Sequence, residues 1–153
     1  VVTKLLIQAL PDLAIFGEKD YQQLLVIKRL ARDLDIPVEI IGAPTIREAD
    51  GLAVSSRNVF LSKANRETAS KVFEILKKTA TAIAQGNDVL VACAEARSEL
   101  MLSGFSEIDY FEARHSETLE LIQNFENSGR LFAAVWLGPT RLIDNLEIIE
   151  YKD

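Results

Sequence analysis

With 153 residues, 48% of them hydrophobic and 26% charged, the chain has the balance of a globular protein with a buried core, well away from disordered or membrane-spanning compositions. A formal net charge of −6 argues against a nucleic-acid partner and leaves room only for a local basic patch that holds phosphates. The longest apolar run, 131–138, is shorter than the roughly 18 to 20 residues a spanning helix needs, so no membrane partner is expected.

Residues 1–10 read as the later part of an amphipathic helix with no clear cap before it and no start methionine, so a piece of a longer protein is expected. After Pro11 and Asp12 the apolar run Leu13, Ala14, Ile15, Phe16 stops at Gly17, the pattern of a buried strand ending in a tight turn. Leu24, Ile27, Ala31 and Leu34 recur at spacings of three and four and predict a helix over about 19–34. A second apolar run, 38–41, follows Pro37 and ends at Gly42. A connection this long is no hairpin, so the two strands should be parallel.

From 43 to 58 the periodicity vanishes, as in a surface loop. Ala69, Val72, Phe73, Leu76, Ala80 and Ile83 then predict one long helix ended by Gly86, and Leu90, Cys93, Arg97 and Leu100 a second ended by Gly104. Runs 108–113, 131–137 and 142–149 predict three strands of a small antiparallel sheet, with Gly138, Pro139 and Thr140 as the last turn. The fold class is thus α/β, with a parallel sheet followed by a small α+β portion, and the change of texture divides the chain into 1–58 and 59–153.

Cys93 is the only cysteine, which excludes an intrachain disulfide and fits a reducing, cytoplasmic setting; beside Ala92 and Ala94 it reads as a small buried residue. His115 is the only histidine, so neither a zinc site nor a Ser-His-Asp triad has support, and no protein-built metal site is expected.

Two segments can carry chemistry. The first, Phe16 to Gln23 (FGEKDYQQ), stands at the carboxyl end of a predicted parallel strand and the start of a helix, where open α/β sheets bind ligands and helix amino termini favour anions. Gly17 would let backbone approach a ligand, Lys19 brings a mobile positive charge, and Gln23 lies four residues on along the same face. The bland reading is a helix start capped by Asp20, with Lys19 and Gln23 merely solvated. The second, Pro44 to Asn58 (PTIREADGLAVSSRN), offers the hydroxyls of Ser55 and Ser56 and the guanidinium of Arg57 as donors to phosphate oxygens; its bland reading is a polar loop.

Read together, FGEKDYQQ and PTIREADGLAVSSRN closely resemble the pantothenate synthetase (pantoate–β-alanine ligase) family, and residues 1–10, 136–138 and 141–145 also fit. The resemblance implies a Rossmann-like nucleotidyltransferase fold, with 1–58 the later portion of the ATP- and pantoate-binding domain and 59–153 an α+β lid domain. It implies ATP-dependent condensation of pantoate with β-alanine through pantoyl adenylate, in coenzyme A biosynthesis, with a Mg²⁺ requirement and a homodimeric full-length enzyme. Carried over by motif, Gly17, Glu18, Lys19, Asp20, Ile46, Val54, Ser55, Ser56 and Arg57 line the nucleotide, Gln23 holds pantoate, and Lys19, Ser55, Ser56 and Arg57 serve catalysis. Val54 stands where the family often has Leu or Met. The family's amino-terminal half carries a histidine motif for ATP, a second glutamine for pantoate, acidic residues near magnesium and much of the dimer interface. None of these is in the sequence, so no significant synthetase activity is expected of the chain alone. A non-catalytic nucleotide-binding module and a protein-interaction domain over 61–153 are the readings of other classes.

Overall fold

The computed structural model describes residues 1–149. Two compact units divide between Thr45 and Ile46.

The first unit contains helix α1 (Val2–Ala9), strand β1 (Leu13–Gly17), helix α2 (Tyr21–Asp33) and strand β2 (Glu39–Ala43). β1 and β2 pair in parallel, Leu13 opposite Glu39 and Gly17 opposite Ala43. Leu24, Ile27 and Ala31, three and four apart on α2, are its buried residues, as the sequence spacing requires. Ile27 joins Leu6 and Ile36 in a small core against which Ala14, Phe16 and Ile40 pack. α2 stops in a left-handed turn at Asp35 (φ 51°), where the Asp35 and Ile36 amides donate to the carbonyls of Arg32 and Ala31 and satisfy the last turn of the helix. The alternation of the strands places Leu13, Ile15 and Ile41 on the sheet face opposite this core, and all three are exposed.

The second unit, from Ile46 onward, holds helices α3 (Lys63–Ala69), α4 (Lys71–Ala84) and α5 (Val89–Leu102), then strands β3 (Glu107–Arg114), β4 (Gly129–Leu137) and β5 (Thr140–Ile148). The strands form an antiparallel sheet with β4 in the centre. Ile75, Leu76 and Ile83 of α4, Leu100 of α5, and Leu131, Val135 and Leu137 of β4 are fully buried in one core. Gly138, at φ 57°, and Pro139 make the β4–β5 hairpin, in which Leu137 faces Thr140.

The long helix expected to start near Ala69 is preceded by another. Ser62 accepts a hydrogen bond from the Asn65 amide and starts α3, and Ser70, still right-handed, separates α3 from α4. Segment 46–58, whose lack of periodicity reads as a loop, has backbone order: its two arms pair at Arg47 and Ala53, and buried Leu52 and Ala53 plug it into the second unit.

Candidate functional site

The residues expected to bind ligand form two groups, one in each unit. In the first unit, Gly17 closes β1, and Glu18, Lys19 and Asp20 form a single 3₁₀ turn that leads into α2. Gln23 lies in the first turn of α2, so Lys19 precedes the α-helix whose face it was expected to share with Gln23. Asp20 occupies the N-cap position without a side-chain capping bond. The φ of Gly17, −70°, is open to any residue, and a Cβ placed there would meet no atom within 4 Å, so neither conformation nor packing requires a glycine at this position. Gly42, opposite Phe16, has the other role a glycine can have. A Cβ there would come within 2.9 Å of Leu24 Cδ2 and 3.0 Å of Glu18 Oε1, so the missing side chain is what lets Glu18 fold over β2. The turn thus places a helix start, a lysine and an amide side chain at the carboxyl end of a parallel strand, beside the carboxylates of Glu18 and Asp20.

In the second unit, Ile46 and Val54 hold the two ends of the paired arms together, the Val54 amide donating to the Ile46 carbonyl at 2.9 Å. Ser55 caps the 3₁₀ helix Ser56–Phe60, its hydroxyl accepting from the Arg57 amide at 3.3 Å. The Asn58 side-chain amide donates back to the Ala53 carbonyl at 3.1 Å and closes the turn. The structure thereby brings Val54, Ser55, Ser56 and Arg57 onto one hydrogen-bonded corner, with Val54, Ser56 and Arg57 exposed. Arg57 also lines a cleft of about 460 Å³ with Phe60, Trp136, Pro139, Thr140 and Arg141. Asp109 anchors that cleft, accepting from the Trp136 indole N–H at 2.8 Å and from Arg141 Nε at 2.6 Å. The guanidinium of Arg141, and then the indole, hold the Asp109 carboxyl below its ordinary range.

The remaining reactive side chains have structural positions. His115 Nδ1 accepts from the amides of Glu117 and Thr118 and ties a turn. Cys93 is buried against the second core, and burial pushes its thiol up to about 11. Among the described residues no three His, Cys, Asp or Glu gather as a metal site, and no helix is long and apolar enough to cross a membrane. Sequence reasoning gave no role to Arg47 or Asp144, although both lie in stretches that carry the family resemblance; their side chains meet across 97 positions of chain.

The family model for pantoate-beta-alanine ligase matches residues 1–147. The chain belongs to this family. Among curated relatives it is 55% identical over 148 residues to the pantothenate synthetase of Mesorhizobium japonicum, covering 97% of this chain and 52% of that protein. To the pantothenate synthetase of Roseobacter denitrificans it is 51% identical over 148 residues, again 97% of this chain and 52% of the relative. The chain therefore spans about half the length of these relatives. Among solved structures, pantothenate synthetase from Thermus thermophilus superposes with a TM-score of 0.90 at 41% identity, over 96% of this chain and 53% of that one. Pantoate-beta-alanine ligase from Francisella tularensis, complexed with beta-gamma ATP and beta-alanine, gives 0.71 at 34% identity, over 95% and 47%. These likenesses agree with the α/β class and with the parallel and antiparallel sheets described above.

Proposed function

We propose that this chain supplies one side of the active site of an ATP-dependent pantoate–β-alanine ligase acting in the cytoplasm, in coenzyme A biosynthesis. The family match over 1–147 carries the proposal, and the donor chemistry of the two motif segments agrees with it.

The reaction has two steps. A pantoate carboxylate oxygen attacks the α-phosphorus of ATP, and the bond to pyrophosphate breaks. The β-alanine amine then attacks the acyl carbon of pantoyl adenylate, forms the amide of pantothenate and releases AMP with loss of a proton. No covalent bond to the enzyme is needed, so catalysis is positioning plus stabilisation of growing negative charge. Lys19 and Arg57 provide positive charge for the phosphates, and the Ser55 and Ser56 hydroxyls donate to oxygens of the leaving pyrophosphate. Gly17, Glu18, Asp20, Ile46 and Val54 surround the nucleotide. Gln23 pairs with a hydroxyl or carboxylate of pantoate without adding charge. Magnesium in such reactions takes most of its ligands from phosphate and water, so Mg²⁺ enters here with ATP rather than in a cage of protein side chains.

With one side of the site, the chain alone turns over insignificantly, and the full-length enzyme is a homodimer. The test is pantothenate formation, measured for the purified chain and for a fusion of this chain to the part of the Mesorhizobium enzyme that it does not match. The expected result is no significant turnover alone and turnover by the fusion that Lys19→Ala or Arg57→Ala removes. Rates typical of a full enzyme from the chain alone would overturn the half-site; a folded fusion in which both substitutions leave the rate unchanged would overturn the residue roles.

A further inference from the structure

A buried ion pair sits behind the Ser55–Arg57 corner. Arg47 Nη1 donates to Asp144 Oδ2 at 2.6 Å and Nη2 to Oδ1 at 3.0 Å, a two-pronged pair between the first arm of the corner segment and β5. Nη1 also donates to the Gly51 carbonyl at 3.0 Å, and the guanidinium lies 3.7 Å from the centre of the Phe73 ring. The side chains are 17% and 6% exposed, so the pair is little screened by solvent. A second tie, Arg66 to Asp50, is far more exposed and correspondingly weaker.

The connection from this pair to the corner is short and made of hydrogen bonds. Arg47 bridges to Ala53, the Glu48 amide donates to the Leu52 carbonyl at 2.8 Å, and Val54 donates to Ile46. Ala53 in turn holds Asn58, so the backbone on both sides of Ser55, Ser56 and Arg57 is fixed to the arm that Asp144 grips. The principal core of this unit lies between α4, α5 and the sheet and takes in Leu52 from the corner segment. A buried ion pair adds little net stability over an apolar pair, and this one ties the arm that leads to the corner to β5.

We infer that Arg47 and Asp144 form a clasp that positions Ser55, Ser56 and Arg57 to receive a polyphosphate, so both are positioning residues. The ligand's identity rests on the function proposed above; the clasp rests on geometry.

The test uses the whole chain, with Asp144→Asn and Arg47→Lys as variants, amide hydrogen exchange as one readout and inorganic pyrophosphate titration as the other. Asp144→Asn removes a negative charge close to the corner, so simple electrostatics would tighten anion binding, whereas loss of position weakens it. The expected result for both variants is exchange at 46–57 faster by about tenfold or more, exchange in α4 and α5 unchanged, and pyrophosphate bound about tenfold more weakly. Unchanged exchange at 46–57, or pyrophosphate bound as tightly or more tightly, would overturn the clasp. Should Asp144→Asn lose the protection of α4, the charge-conserving Arg47→Lys decides. A wild-type chain that takes up no pyrophosphate at millimolar concentration would count against the proposed function, and the exchange comparison would still judge the clasp.

Discussion

A Cβ added to Gly51 would stand 2.4 Å from Cδ1 of Phe73, the ring on which the Arg47 guanidinium lies. Gly51 also has φ +91°, where side chains are disfavoured. Gly51→Ala should therefore cost about 1 kcal/mol for backbone strain and a further ~1–3 kcal/mol for crowding Phe73. Gly86 provides the control, since it has φ +93° with nothing within 4 Å of an added Cβ. Urea unfolding of Gly51→Ala and Gly86→Ala should show the first variant clearly less stable; equal losses would mean that Phe73 yields freely.

Leu13, Ile15 and Ile41 put 51%, 63% and 37% of their surface in solvent on one face of the parallel pair. Apolar residues grouped this way on a short sheet favour association. Sedimentation of the chain should show concentration-dependent self-association, and Leu13→Ser with Ile15→Ser should reduce it without loss of helix content. A wild-type chain that stays monomeric across the concentration range would refute this.

Much of this fold is legible in the sequence, and the illegible parts share a cause. Leu24, Ile27 and Ala31 declare α2 because burial of one helix face imposes the spacing. The charged stretch Lys63–Ala69 buries only Ala69, so α3 carries no stripe to read and shows itself through the Ser62 cap instead. Lys19 could be read as a phosphate ligand from its place after an apolar run, but not as part of a 3₁₀ turn, since a single turn leaves no periodicity. Leu52 and Ala53 are too few to form a pattern, and the Arg47–Asp144 pair joins residues 97 apart. The motif residues proposed to meet a ligand are picked out by type and by resemblance; the contacts that tie their segments to the fold are visible only in three dimensions.

Cys93 gives a pH signature. Burial raises its thiol to about 11, against about 8.5 for a free thiol, so the folded state favours the protonated form. Its stabilising contribution is complete below the unfolded value and is lost as pH rises through about 11. Between these values the wild type should lose more stability in urea unfolding than Cys93→Val, whose position cannot ionise. Thiol alkylation at pH 8 should likewise be slow until denaturant is added. Parallel stability profiles for the two proteins would contradict the assignment.

Trp136 is the only tryptophan, and its indole N–H is bonded to Asp109 beside Arg57 and Arg141. Asp109 is held low by Arg141 and then by Trp136, so its contribution is present above the ordinary carboxylate value of about 3.9 and is lost only as pH falls through its lower folded value. Emission from Trp136 should stay constant from pH 7 to about 4 and change below; in Asp109→Asn it should already be altered at pH 7. A wild-type transition centred at the ordinary value would refute the coupling.

Service of one polyphosphate by both motif segments is tested most directly by amide NMR of the chain titrated with ATP and Mg²⁺. Saturable shifts are expected at both Gly17 to Gln23 and Val54 to Arg57, with the same binding curve, even if affinity is weak. Saturable shifts at only one of the two segments, or at neither, would contradict a shared ligand.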